Sequence, residues 1–211
     1  RPVFTYSYRQ AVIDGYLIDH EPPIRIVTAL AEDGITWVAG EELAVYRVRT
    51  GQLDLVETPD EVSVEVEQFN LRVLTENFNR VVCAQLAREI DPSLPGKTLI
   101  FCANDRHADT VVALLKEAFE EQYGPVEDDA VVKITGAADK PMSLFLRFKN
   151  EPNQIKVAVT VDLLTTGIDV PEISNIVFIR RVRSRILYEQ MLGRATRLCP
   201  DIGKERFRIF D

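Results

Sequence analysis

The feature that most constrains the fold of this 211-residue chain is a regular alternation of short apolar runs with helical patterns over residues 98–211. Short apolar runs bounded by turn residues predict buried strands, and apolar residues that recur at helical spacing predict amphipathic helices. The predicted strands span residues 98–103, 131–135, 155–160, 175–180 and 206–210, and the predicted helices span 105–123, 142–149 and 188–197. This alternation is typical of an α/β fold, in which helices cover both faces of a doubly wound parallel sheet.

Residues 1–67 follow a different pattern, and we expect them to form a separate part of the molecule. A short helix should end near Gly15, and Pro22-Pro23 should then force residues 24–30 into an extended strand. Residues 33–59 contain short alternating runs punctuated by glycine, which predict a small antiparallel β-hairpin or meander. A long helix over residues 68–90 should then open the main domain, residues 68–211.

Polar residues follow the apolar run 155–160 at the point where the predicted strand ends. Thr160 closes this run, and the turn after it contains Asp162, Thr165, Gly167 and Asp169. In open α/β sheets, ligands bind beyond the carboxyl ends of the parallel strands. The sequence therefore predicts a binding site at this edge of the sheet. The structural alternatives are that Asp162 caps a helix and that Asp169 is the satisfied carboxylate of a turn.

A second candidate segment, residues 188–197, contains the pattern Gln-x-x-Gly-Arg-x-x-Arg. Gln190, Arg194 and Arg197 fall at helical spacing, so we expect them on one face of a short helix. Gly193 would leave that face open to the close approach of a phosphate or another backbone. Two planar guanidinium groups on one face suit a polyphosphate ligand. The alternative is a solvated basic helix.

The two segments together resemble motifs V and VI of superfamily 2 helicases. Residues 160–171 read Thr-Val-Asp-Leu-Leu-Thr-Thr-Gly-Ile-Asp-Val-Pro, and residues 188–197 read Tyr-Glu-Gln-Met-Leu-Gly-Arg-Ala-Thr-Arg. These two sequences are most similar to the corresponding motifs in the motor (R) subunit of type I restriction-modification enzymes. The resemblance is strong over 155–198 and loose over 1–95. It implies a second RecA-like domain of an ATP-dependent DNA translocase, with residues 1–67 as the connector from the first motor domain.

The resemblance also implies roles for individual residues. Arg194 and Arg197 would reach the γ-phosphate of ATP, one of them as an arginine finger, and Gln190 would orient the helix or contact the nucleotide. Asp169 would also hold one of these arginines in place. The nucleotide-binding residues would be Gly167, Asp169 and Gly193, and the DNA-binding residues would be Thr160, Asp162, Thr165, Asn104 and Arg106. Helix capping by Asn104 is the structural alternative for that position.

Two parts of a nucleotide-driven motor are absent from this sequence: the phosphate-binding loop and the Asp-Glu box that holds Mg²⁺. Pro95-Gly96-Lys97-Thr98 resembles the end of such a loop, but it precedes a predicted strand, so we reject it. The resemblance then implies that a first RecA-like domain of the same polypeptide holds ATP and Mg²⁺. The chain begins at Arg1 without a methionine, so we expect an excised piece with no ATPase activity and no cofactor of its own.

The net charge of −8 argues against indiscriminate binding of nucleic acid. Residues 178–208 nevertheless hold nine Lys or Arg against three Asp or Glu, which indicates either a focused anion site or a solvated basic face. No apolar run is long enough to span a bilayer, so no membrane partner is expected. Cys83, Cys102 and Cys199 should be buried free thiols of a cytoplasmic protein, and no His/Cys spacing suggests a metal site.

Other functions remain open at this point. The chain could be the equivalent domain of another superfamily 2 DNA helicase, of the type III restriction or repair type, or a non-catalytic interaction module of the same fold. The type I resemblance implies double-stranded DNA and the specificity and modification subunits as partners. The Asp...Glu-x-Lys nuclease core of that family is not found in this sequence, so endonuclease activity is implied only for the parent protein.

Overall fold

The computed structural model describes residues 6–26, 76–161, 169–180, 182 and 184–211, apart from the side chain of residue 77. It also describes the backbone of four further strands, β1 (Ile35–Trp37), β2 (Glu42–Arg47), β3 (Gln52–Glu57) and β4 (Val62–Val64). β2 and β3 pair with each other in antiparallel register, and β1 pairs with β4 in a second antiparallel sheet, so the β2–β3 hairpin lies between β1 and β4 in the sequence. The predicted antiparallel insertion is therefore confirmed.

A five-stranded parallel sheet forms the centre of the main domain. Its strands are β5 (Lys97–Phe101), β6 (Val131–Lys133), β7 (Val157–Thr160), β8 (Ile173–Phe178) and β9 (Arg208–Phe210), in the spatial order β6-β7-β5-β8-β9. All four neighbouring pairs are parallel. The central strand β5 is buried along its whole length, as expected for a strand covered on both faces. The predicted doubly wound α/β fold is confirmed.

Alternate residues of the central strands enter two separate apolar clusters because successive side chains of a strand point to opposite faces. Ile100 and Cys102 pack with helices α2 (Glu76–Glu89) and α3 (Asp105–Tyr123). Leu99 and Phe101 pack on the other face with helices α4 (Pro141–Asn150) and α5 (Arg185–Leu192). Each face of the sheet is thus covered by one pair of helices. The cysteines Cys83, Cys102 and Cys199 are free and buried, as predicted.

The N-terminal segment extends the sheet beyond β9. Helix α1 (Tyr8–Ile13) begins at Ser7, whose hydroxyl accepts a hydrogen bond from the Gln10 amide, and the chain turns at Gly15 with φ of 78°. The amide of Ile24 then donates to the carbonyl of Ile209 (2.8 Å), and the Asp211 amide donates back to Ile24 (3.1 Å). The strand predicted over 24–30 is therefore seen only as isolated pairing at its start, and residues 27–30 lie outside the described residues.

The boundary between the connector and the main domain falls within residues that the structure leaves undescribed. Helix α2 is described from Glu76, whereas the sequence predicts a start at residue 68. The division into residues 1–67 and 68–211 therefore stays a prediction.

Candidate functional site

Helix α5 lies beside the carboxyl ends of the two central strands, where three aromatic rings hold it. Phe101 and Phe178 end β5 and β8, and their ring centroids are 5.6 Å apart in a stacked arrangement. The Tyr188 ring of α5 lies 5.1 Å from the Phe178 centroid. Aromatic contacts of this kind bury large apolar areas in a defined geometry. They place the start of the predicted motif VI segment, at Tyr188, beside the edge where open α/β sheets bind ligands.

The expectation of one helix carrying Gln190, Arg194 and Arg197 is wrong. Helix α5 ends at Leu192, and the two arginines lie in the following segment, residues 193–197, which we call the arginine turn. The Arg194 amide donates to Met191 (3.2 Å) and the Ala195 amide to Leu192 (2.9 Å), so the hydrogen bonds span three residues. Such bonds tighten and end an α-helix, and they remove these arginines from the α-helical face that the spacing suggested.

The arginine turn contacts the predicted motif V through an ion pair. The Arg197 Nε lies 3.4 Å from the Asp169 Oδ1, and the two side chains are 59% and 54% exposed. Arg194 is half-buried, and Gln190 and Gly193 are exposed. The ion pair that the resemblance implied for Asp169 is therefore present. It leaves the Arg197 side chain accessible to an anionic ligand from outside this domain.

Lys204 supports the arginine turn from the interior, and sequence reasoning missed it. Its side chain is only 7% exposed, and its Nζ donates hydrogen bonds to three backbone carbonyls. The acceptors are Pro171 (2.8 Å), Ala195 (2.8 Å) and Arg197 (2.9 Å). Burial lowers the pKa of Lys204 to about 8. Backbone carbonyls carry no sequence signature, so no pattern in the sequence could have identified this contact.

The arginine turn and Asp169 lie near the amino ends of β8 and β9, because Asp169 shortly precedes β8 and Lys204 precedes β9. The expectation that Asp169 shares the carboxyl edge of the sheet with Thr160 is therefore wrong.

Two further backbone contacts fix the two edges of the sheet. The Ile18 amide, just after α1, donates to the Thr196 carbonyl (2.9 Å), which ties the N-terminal segment to the arginine turn. On the other side, the Arg180 Nη1 donates to the Val161 carbonyl (3.0 Å), directly after β7. Neither residue was singled out from the sequence.

Thr160 is fully buried at the end of β7. Its carbonyl accepts a hydrogen bond from the Cys102 amide (2.7 Å), and its hydroxyl has no hydrogen-bond partner among the described residues. Buried hydroxyls are normally paired, so an unpaired one at a strand end is unusual. Asp162, Thr165 and Gly167 lie outside the described residues. The DNA-binding role predicted for Thr160, Asp162 and Thr165 stays a prediction.

The residues after β5 form the start of helix α3. The Asn104 Oδ1 accepts a hydrogen bond from the His107 amide (2.9 Å), so the helix-capping interpretation of Asn104 is correct. Its Nδ2 is buried without a hydrogen-bond partner in the described part of the chain. Arg106 is exposed. Capping occupies only the oxygen of Asn104, so the predicted DNA contacts of Asn104 and Arg106 stay predictions.

A charged cluster lies next to this helix start. Asp105 accepts hydrogen bonds from the Thr135 hydroxyl and from the Lys133 Nζ (2.9 Å), and Lys133 also pairs with Asp109 at 2.6 Å. These hydrogen bonds, the one from Thr135 first, hold the pKa of Asp105 below its usual value. The cluster thereby joins the first turn of α3 to the end of β6.

Two negative findings apply to the described residues. Within them, no group of three His, Cys, Asp or Glu side chains is arranged to hold a metal ion. Likewise, no helix in the described ranges is both long enough and apolar enough to cross a membrane.

The five-stranded parallel α/β fold and the motif resemblance indicate a helicase-type domain, and sequence comparison agrees. The chain belongs to the helicase conserved C-terminal domain family, whose profile matches residues 81–199. It is 49% identical over 217 aligned residues to the type I restriction enzyme EcoKI endonuclease subunit of Escherichia coli K12, an alignment that covers all of this chain. It is 27% identical, again over the whole chain, to the corresponding EcoAI subunit of Escherichia coli.

The solved structure of a fragment described as the HsdR subunit of a type I restriction enzyme from Vibrio vulnificus has the same fold. It superposes with a TM-score of 0.63 at 24% identity, covering all of this chain and 35% of the other. This likeness supports the RecA-like helicase C-terminal fold. The chain spans only 18% and 25% of the lengths of the EcoKI and EcoAI subunits.

Proposed function

We propose that this chain is the second motor domain of an ATP-dependent DNA translocase, the endonuclease (R) subunit of a type I restriction enzyme. The observation that carries the proposal is the arginine turn near the amino ends of β8 and β9, with Arg197 paired to Asp169. The 49% identity to the EcoKI endonuclease subunit along the entire chain supports the particular family.

In this proposal, the arginine turn completes an ATP site whose other wall is a first RecA-like domain. An exposed guanidinium fits the triphosphate because its planar donors match phosphate oxygens. ATP supplies the phosphoryl group whose transfer drives translocation, and its Mg²⁺ would be held by the other domain. Arg194 and Arg197 stabilise the negative charge that develops at the γ-phosphate. Asp169 holds Arg197 in place, Gln190 orients the turn, and Gly167 and Gly193 lie beside the nucleotide.

The proposal extends to DNA and to partner subunits. Asp162, Thr165, Asn104 and Arg106 contact the backbone of double-stranded DNA, and the buried Thr160 couples DNA binding to the nucleotide site. The parent protein works in the cytoplasm with specificity and modification subunits, which select the DNA sequence. Cleavage of DNA belongs to another part of the parent protein.

The test is DNA-stimulated ATP hydrolysis by the intact subunit carrying Arg194→Ala or Arg197→Ala. An arginine finger contributes about 10³–10⁵-fold to kcat in well-studied enzymes, so at least one variant should lose most of its turnover. Arg185→Ala is the matched control, because Arg185 lies on helix α5, is 89% exposed and pairs only with Glu189 in the described structure. Normal turnover in folded forms of both arginine-turn variants would contradict the proposal.

A further inference from the structure

The arginine turn lies beyond the end of helix α5, so something other than the helix must hold it in place. Four carbonyls of this turn accept hydrogen bonds. Gly193 accepts from the Thr196 hydroxyl (3.1 Å), and Thr196 accepts from the Ile18 amide (2.9 Å). Ala195 and Arg197 accept from Lys204. Lys204 thus supplies two of the hydrogen bonds that fix the path of the turn.

The third hydrogen bond of Lys204 reaches a different segment. Its acceptor, the Pro171 carbonyl, lies two residues after Asp169. One ammonium group therefore binds the backbone at Arg197 and the backbone next to Asp169 at the same time. These are the two residues whose side chains meet at 3.4 Å on the outer side. An ammonium has three donors, and all three are used here.

A charged group in this position is costly unless its hydrogen bonds are complete. The Lys204 side chain is 7% exposed, and no carboxylate in the described part of the chain forms an ion pair with it. Burial lowers the pKa of Lys204 to about 8, so most molecules still carry the ammonium form of Lys204 at neutral pH. An apolar residue would fill the same space without this desolvation cost, but it could not bind three carbonyls from two segments.

We propose that Lys204 is a positioning residue of the ATPase reaction, which sets the distance between the arginine turn and Asp169 and thereby aims Arg197 at the nucleotide. This inference rests on the function proposed above. The competing explanation is that Lys204 only stabilises the fold.

Lys97 provides a matched control because it is a second buried lysine in the same domain. Its side chain is 1% exposed, and its Nζ donates to the carbonyls of Glu151 (2.9 Å) and Ile155 (3.1 Å). Burial lowers its pKa to about 8 as well. Lys97 begins strand β5 at the same edge of the sheet, and its Nζ lies 3.8 Å from the Glu172 carboxylate, but neither of its carbonyl contacts reaches the arginine turn. Loss of either lysine should destabilise the domain, but only loss of Lys204 should disturb the arginine turn.

The experiment compares Lys204→Met, Lys97→Met and Asp169→Asn in the intact subunit, with kcat and KM for ATP measured on DNA. Misplacement of a catalytic group by about 1 Å can cost on the order of 100-fold, so Lys204→Met should lower kcat at least tenfold with little change in KM. Lys97→Met should keep the kcat of the unmodified protein per folded molecule. If Lys204→Met does not fold, Lys204→Arg is used instead. The planar guanidinium keeps the positive charge but cannot donate to the same three carbonyls in the same geometry.

A double variant separates positioning from stability. If Lys204 acts through the Asp169–Arg197 pair, Lys204→Met in an Asp169→Asn background should lower kcat far less than it does alone. Equal kcat for Lys204→Met and Lys97→Met, or fully additive effects in the double variant, would overturn the positioning role. Unchanged turnover in the Arg194 and Arg197 variants would instead overturn the proposed function itself.

Discussion

Arg197 and Asp169 meet across two segments that the sequence separates by strand β8 and helix α5, with the Arg197 Nε 3.4 Å from the Asp169 Oδ1. Both side chains are more than half exposed, and an ion pair in that environment stabilises a protein by only about 0.2–1 kcal/mol. The contact therefore adds little stability, and in the proposed function it directs the Arg197 guanidinium.

Replacing Asp169 by asparagine should therefore separate stability from activity. We expect Asp169→Asn to change the free energy of unfolding by less than about 1 kcal/mol, because the lost ion pair is exposed. The kcat of DNA-stimulated ATP hydrolysis should fall, because Arg197 loses the partner that directs it. Urea unfolding and steady-state hydrolysis measure the two quantities. A large loss of stability with unchanged kcat would contradict this interpretation.

Lysine should not replace arginine in the arginine turn. Arg194→Lys and Arg197→Lys keep the charge, but a compact ammonium cannot present two parallel donors to phosphate oxygens. We expect the lysine variant of the finger residue to recover little of the turnover lost in its alanine variant. The comparison uses hydrolysis rates at saturating ATP, with thermal melting to show that all variants are folded. Full activity in both lysine variants would show that charge alone is sufficient.

This chain on its own should not hydrolyse ATP. Its sequence has neither a phosphate-binding loop nor an Asp-Glu box, so the main phosphate and Mg²⁺ ligands must come from elsewhere. Steady-state hydrolysis by the purified chain, with and without duplex DNA, is the measurement. Robust ATP hydrolysis by the purified chain would contradict the proposal that two domains share one ATP site.

Binding of duplex DNA by this chain alone should be weak and strongly dependent on salt. The net charge is −8, and the positive charge is concentrated within residues 178–208. Phosphate contacts release counterions, so affinity should fall steeply between about 50 and 200 mM salt. A fluorescence anisotropy titration at several salt concentrations tests this. Tight binding at physiological salt would place most of the DNA track on this domain.

The buried His107 should make the domain sensitive to acid. Its Nδ1 accepts from the Ala103 amide (3.2 Å), so the proton is on Nε2, which donates to the Asn79 Oδ1 (2.9 Å). Burial lowers the pKa of His107 from 6.5 to about 4. Between these values the unfolded chain binds the proton more tightly, so stability is lost as the pH falls from 6.5 towards 4. At pH 5 the expected loss is about 2 kcal/mol relative to pH 7.

A His107→Gln variant tests that expectation because glutamine does not titrate. Urea unfolding at pH 7 and pH 5 should show a smaller acid-induced loss of stability in the variant than in the unmodified chain. Carboxyl groups with lowered pKa values, such as Asp105, contribute equally to both proteins and cancel in the difference. An identical loss in the two proteins would show that His107 is not responsible.

Much of the fold could be predicted from the sequence because its signals are local. Helix α3 has the predicted bounds, residues 105–123, because apolar spacing, the Asn104 cap and Gly124 at the end all act within the helix itself. The strands of the parallel sheet were placed to within a few residues for the same reason. Their spatial order was not predicted, because it depends on which strands pair across the whole chain.

The features of the candidate site likewise fall into those that the sequence predicted and those that only the structure showed. The sequence by itself identified the candidate residues, since the spacing of Gln190, Arg194 and Arg197 and the turn containing Asp169 can be read directly from it. Only the tertiary structure decided that α5 stops at Leu192, that Thr160 is buried, and that Lys204 holds the turn. The physical reason is that periodicity reports local backbone preference. The burial of a lysine against carbonyls depends on distant segments, and every residue offers the same carbonyl.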